Sequence, residues 1–121
     1  MPTVKTFRDL LVWQKSMRLV TVVYEVTKEF PNDERFGLTS QIRRSAVSLP
    51  SNIAEGHGRS STKEYIQFLS ITMGSMNELE TQLEISKNLE YLDEGTFSKL
   101  HDNCREIERM LSSLIRKLKE K

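Results

Sequence analysis

The chain has one cysteine, three prolines and five glycines in 121 residues. A lone thiol, Cys104, forms no internal disulfide, so nothing in the sequence marks an oxidising compartment. No apolar run approaches the ~20 residues of a membrane-spanning helix, and the first ten residues hold no apolar stretch like the centre of a signal peptide. Only two histidines are present, which leaves little material for a metal site. At 37% hydrophobic and 29% charged residues, the chain is too apolar for disorder and too charged for a membrane protein. The expectation is a soluble, cytoplasmic protein folding as one domain over residues 1–121.

What the chain does have is charge, unevenly spread. The net charge of +1 divides into +1 over residues 1–33, +3 over 34–63, −6 over 64–94 and +3 over 95–121. The total gives no push toward nucleic acid, yet local basic surface remains. One acidic helix packed between two basic ones accounts for the same pattern.

Turn signals at Phe30-Pro31-Asn32-Asp33, at Gly56-His57-Gly58-Arg59-Ser60 and around Tyr91 to Gly95 cut the chain into four stretches, each with helical apolar spacing. They predict helices over roughly 7–29, 37–57, 62–90 and 94–119. Short connections make sequential helices antiparallel, so the expected fold is all-α, an up-down-up-down four-helix bundle. In the first stretch Leu10, Trp13, Met17, Val20 and Tyr24 line one face, while Val12, Leu19, Val23, Val26 and Phe30 fall nearly opposite. Two apolar stripes imply cover on both sides. The second set is read as a surface for self-association, with Val12, Leu19, Val23 and Val26 at the interface.

The second stretch buries Leu38, Ile42, Ala46, Leu49, Ile53 and Gly56, with Pro50 inside it freeing the carbonyl of Ala46. Its charged residues between Gly37 and Gly58 are only Arg43, Arg44 and Glu55, which argues for burial from more than one direction. Ser61-Thr62-Lys63-Glu64 has the form of a capping box. The row from Tyr65 through Leu69, Thr72, Met76, Leu79 and Leu83 to Ser86 then forms the third core stripe. Gly74 sits mid-helix at a cost of ~1 kcal/mol against Ala, from either a close neighbouring backbone or plain tolerance. In the last stretch Asp93 is a plausible N-cap, and Phe97, Leu100, Cys104, Ile107, Leu111, Leu114 and Leu118 keep a bundle seam.

Catalytic patterns are missing. Neither histidine has a Glu three residues earlier, as a di-iron bundle requires. His101 and Cys104 offer two ligands where a closed zinc site takes about four. No phosphate loop or nucleophile elbow is present. The expectation is a protein that is not an enzyme and holds no metal or cofactor.

The most informative feature is a polar ladder on the second helix: Gln41, Arg44, Ser48, Asn52, Glu55 and Arg59, spaced 3, 4, 4, 3 and 4 apart along one stripe. It reads as a seam between helices or subunits, with Gln41, Ser48, Asn52 and Glu55 at an oligomer interface, as a contact surface for a polar ligand, or as an internal network in which Glu55 pairs with Arg59 or Arg44. Arg43, Arg44, Arg59 and Lys63 are the candidate nucleic-acid contacts.

Several words of the sequence carry a resemblance. They are Phe7-x-x-Leu10-x-x-Trp13-Gln14-Lys15, Glu34-x-Phe36-Gly37-Leu38-Thr39-Ser40-Gln41-Ile42-Arg43-Arg44, Ser51-Asn52-Ile53-Ala54-Glu55-Gly56, Gly58-Arg59, Tyr65-x-x-Phe68-Leu69 and Glu78-Leu79-Glu80-x-x-Leu83. With them the chain resembles the bacterial four-helix-bundle family of 23S rRNA intervening-sequence proteins over nearly its whole length, with Ser45 where the family usually has Ala. The resemblance implies a homopentameric ring. It also implies a likeness to the accessory variability determinant of diversity-generating retroelements, which binds nucleic acid and a reverse transcriptase. The reading that follows is a non-enzymatic homo-oligomer engaging rRNA or another structured RNA, or a ribonucleoprotein, through basic patches. The rival reading is a protein–protein adaptor or scaffold that binds a protein partner and no nucleic acid.

Overall fold

A computed structural model describes residues 3–121. Two short 3-10 turns and four α-helices follow one another: a turn at Phe7–Asp9, α1 at Leu11–Thr27, a turn at Asn32–Glu34, α2 at Leu38–His57, α3 at Thr62–Asn88 and α4 at Glu94–Lys119. Facing residues set the directions. Thr27, ending α1, meets Arg43 near the start of α2, and Gly56, ending α2, meets Tyr65 and Phe68 in the first turns of α3. Lys87 lies over Phe97 across the α3–α4 turn, and Lys15 of α1 bonds Glu106 of α4. The four helices form an antiparallel bundle in which α1 and α3 each neighbour α2 and α4.

Helix boundaries follow from caps. The first helix starts later than residue 7 because Thr6 and Asp9 close a capping box around the Phe7–Asp9 turn, after which Leu10 is extended. Ser61 accepts from the Glu64 backbone N–H at 3.1 Å, and Asp93 from that of Thr96 at 2.7 Å, each satisfying an otherwise orphaned donor. The third helix ends at Asn88 rather than 90. Tyr91 N–H reaches back to Ser86 O and Glu90 N–H to Lys87 O, both at 2.9 Å. That is a Schellman ending with Glu90 at φ 64°, a conformation glycine usually takes. The turn delivers Tyr91 to Phe30, 5.4 Å between ring centroids, and its hydroxyl to Glu34 Oε2 at 3.0 Å.

The core runs the length of the bundle through Leu19, Val23, Ile42, Leu49, Ile53, Leu69, Met76, Leu79, Leu100, Ile107 and Leu111. This corrects the reading of α1. Val12, Leu19 and Val23 are buried in the chain's own core, and Val26 packs against it half-buried. Val12 and Leu19 keep only an edge at the α1–α4 seam, and Val23 keeps none. Ser16 and Thr27, both buried, complete the row Val12–Ser16–Leu19–Val23–Thr27–Phe30, and the Thr27 hydroxyl is satisfied by Val23 O at 2.7 Å. The opposite row turns outward: Met17 and Tyr24 are exposed, and Leu10, Trp13 and Val20 are half-buried.

The polar ladder resolves mostly inside α2 itself. Ser48 Oγ donates to Ser45 O and Asn52 Nδ2 to Ser48 O, both at 2.8 Å, and Arg59 pairs with Glu55 at 3.1 Å. Gln41 is exposed. These bonds make no seam between helices, because Ser and Asn at these positions bond the preceding turn of their own helix.

Helices α2 and α3 share the most extensive contact, and at its Gly56 end they approach closely. A Cβ there would lie 2.7 Å from Phe68 Cβ and 3.3 Å from Tyr65 O. Gly74 is the opposite case, since a Cβ there meets nothing within 4 Å. Gly56→Ala is therefore expected to destabilise the bundle by about 1–3 kcal/mol through overpacking, whereas Gly74→Ala stabilises the folded chain by up to ~1 kcal/mol. Urea denaturation of both variants measures the contrast. Val23→Asp should unfold the chain rather than merely dissociate it, costing more than about 3 kcal/mol for an unpaired buried charge, seen as loss of helical circular dichroism.

Candidate nucleic-acid interface

The basic residues of the 34–63 segment divide between the two ends of α2. At its start, the Asn32–Glu34 turn throws Arg35 and Phe36 outward before Gly37 N-caps the helix. Phe36 is 88% exposed, the most exposed large apolar side chain among the described residues. The Arg35 guanidinium lies 5.3 Å from its ring centroid. One turn into α2, Arg43 crosses back to α1: Nε donates to Thr27 Oγ1 at 2.8 Å, Nη2 to Tyr24 O at 3.3 Å, and the guanidinium sits 4.5 Å over the Tyr24 ring. Arg44 beside it is exposed and has no carboxylate within 4.0 Å among the described residues.

These side chains surround a shallow depression of about 480 Å³ between α1 and α2, lined by Tyr24, Arg35, Phe36, Arg43, Arg44 and Val47 together with Thr39 and Ser40. No acidic residue lines it. Thr39 Oγ1, on the same wall, is buried and has no hydrogen-bond partner. The guanidinium groups of Arg35 and Arg44 and the rings of Tyr24 and Phe36, backed by Arg43, make a surface suited to phosphate and to stacked bases.

At the far end of α2 the arrangement is different. Arg59 is held by Glu55 and lies 4.7 Å over the Phe68 ring, so its charge is already partnered. Lys63 is exposed on the first turn of α3. The four basic residues singled out by sequence thus do not form one site. Arg44 belongs to the depression as a free cation, Arg43 belongs to it while fastening α1 to α2, and Arg59 and Lys63 lie apart. Arg35, Phe36, Tyr24 and Val47 were missed, because Phe36 stands in a turn where no periodicity flags it.

A carboxyl pair bridges α3 and α4 elsewhere. Burial, then a hydrogen bond and repulsion from Glu108, push the Glu80 carboxyl up to about 7. Glu108 Oε1 is itself sealed from solvent without a donor. His101 Nδ1 stands 4.0 Å from Glu80 Oε1. Burial and the same two carboxyl groups push the neighbouring Cys104 thiol up to about 12, which leaves it an inert core residue. Among the described residues no group of three or more His, Cys, Asp or Glu is placed to hold a metal ion, and no helix is long and apolar enough to cross a membrane.

The family model for the 23S rRNA-intervening sequence protein matches residues 8–113. The chain belongs to this family. A solved structure from Bacteroides thetaiotaomicron, described as a protein with unknown function from the S23 ribosomal protein family, is 28% identical with a TM-score of 0.81. The match covers 87% of this chain and 98% of that one. No curated protein matches. For this family member the Arg–aromatic depression and the carboxyl pair are the two polar features with the most definite geometry.

The carboxyl pair sets a pH dependence. Glu80 holds its proton to about pH 7 in the folded chain but releases it near 4.5 when unfolded. Between those values the native state binds more protons, so stability falls as pH rises through that window and levels off above it. Thermal melts should give a higher Tm at pH 5 than at pH 8, and Glu80→Gln should flatten that slope.

Proposed function

We propose that the protein is a non-enzymatic homo-oligomer, a pentameric ring after the pattern the resemblance implies, that binds structured RNA, ribosomal RNA foremost, in the cytoplasm. The observation that carries this reading is the depression between α1 and α2, where Arg35, Arg43 and Arg44 surround Tyr24 and Phe36 with no acidic residue in the lining. Arg44 offers a bidentate phosphate contact. Phe36 offers a ring on which an unpaired base stacks, the mode by which sequence-tolerant single-stranded recognition works. The family name, with its reference to 23S rRNA, agrees with that chemistry. A ring repeats the patch around its rim, so a weak contact gains effective concentration from its neighbours.

Fluorescence titration with structured rRNA fragments at about 50 mM and 200 mM salt tests the proposal, since each phosphate contact adds roughly 0.7–0.9 to the slope of log K against log salt. Phe36→Ala is expected to weaken binding by about 1–3 kcal/mol, and Arg44→Ala to weaken it while lowering that slope by roughly one contact. Absence of binding at the lower salt removes the RNA reading. A protein partner that survives nuclease treatment in a pull-down, with no RNA recovered, favours the adaptor role instead.

A further inference from the structure

The bundle is closed unequally, and two surfaces left open by that inequality are complementary. Along the α1–α4 seam runs a groove of about 580 Å³ lined by the apolar Leu11, Val12, Met110 and Leu114 and by Arg109, Lys117 and Glu106, the last already held by Lys15. It continues past the Lys15–Glu106 bond into a smaller hollow beside Arg18 and Val22. Leu11, in its wall, is 53% exposed. Diagonally across the bundle, the outer face of α3 carries a second row at 4, 3, 4, 3, 4 spacing: Gln67, Ile71, Gly74, Glu78, Thr81 and Ile85, followed by Leu89. Ile71, Ile85 and Leu89 are all exposed, Gly74 leaves open space at the row's centre, and Glu78 within the row and Glu84 beside it are exposed.

We propose that the outer face of α3 on one copy of this chain seats in the α1–α4 groove of the next. Three properties match. The seam extends from Asn103 to Lys117 on α4, and the ridge from Ile71 to Ile85; each spans fourteen residue steps, about 21 Å at 1.5 Å per residue. The apolar groove floor receives isoleucines that otherwise stay in water. The rim is basic at Arg18, Arg109 and Lys117, and the ridge is acidic at Glu78 and Glu84. None of these five charges has an opposite partner within 4.0 Å among the described residues. Gly74 then admits the neighbouring helix backbone, which gives its place in mid-helix a reason. Groove and ridge are different patches, so the contact is heterologous and runs head to tail, closing into a ring when the rotation permits. This assignment rests on the self-association in the proposed function and adds which surfaces meet.

Sedimentation velocity over roughly 1–100 µM chain tests it, with helical circular dichroism confirming that each surface variant is folded. The groove variant Arg109→Glu/Lys117→Glu and the ridge variant Glu78→Lys/Glu84→Lys should each weaken assembly by at least about tenfold, through like charges facing each other. All four substitutions in one chain should restore it. A wild-type chain that stays monomeric across the range overturns self-association itself. An assembled wild type that both variants leave unchanged, or that the fourfold variant fails to restore, overturns only the pairing of groove with ridge.

Discussion

The approach of α2 to α3 at Gly56 sets the geometry on which the remaining packing depends. With no side chain at that position, the Tyr65–Phe68 turn of α3 lies directly against the α2 backbone. Two helices drawn this tightly together at one end fix where their core rows face, and α1 and α4 must then cover what is left. They cover it incompletely. The α1–α4 side is the loosest of the four, and the groove there is the geometric remainder of a close contact made on the other side of the bundle.

The same constraint explains why basic residues on one helix take different roles. Arg43 lies on the flank of α2 that faces α1, and its guanidinium is spent on Thr27 and Tyr24. Arg44, one residue on, is rotated about 100° outward and stays free for solvent or ligand. Because Arg43 holds Tyr24 in place from beneath, the aromatic wall of the depression and the α1–α2 fastening are one construction. A ligand bound there would rest on residues that the fold already holds still, which lowers the ordering cost of binding.

The helices were legible in the sequence because 3- and 4-residue spacing is a direct imprint of one buried face, and the Asp93 and Ser61 caps carry their own chemistry. The inward side of α1 was not. Its two rows are comparably apolar, and the true core row is interrupted by Ser16 and Thr27, which sequence reads as polar but which lie buried among neighbours. Only the positions of α2 and α4 distinguish the rows. The ladder on α2 was visible as a pattern, but a pattern does not say whether Asn52 bonds a partner or its own preceding turn. Arg44 was found from the local charge. Phe36 and Arg35 were not, since a turn has no period, and the carboxyl pair of Glu80 and Glu108 joins residues 28 positions apart that share no sequence signal.

Cys104 gives the molecule an internal clock. The single thiol is fully buried in α4 and is held protonated by its surroundings, so a thiol reagent reaches it only when α4 lifts away from its neighbours. Modification of this one atom counts openings of the bundle one by one, and its rate measures how often α4 leaves the core.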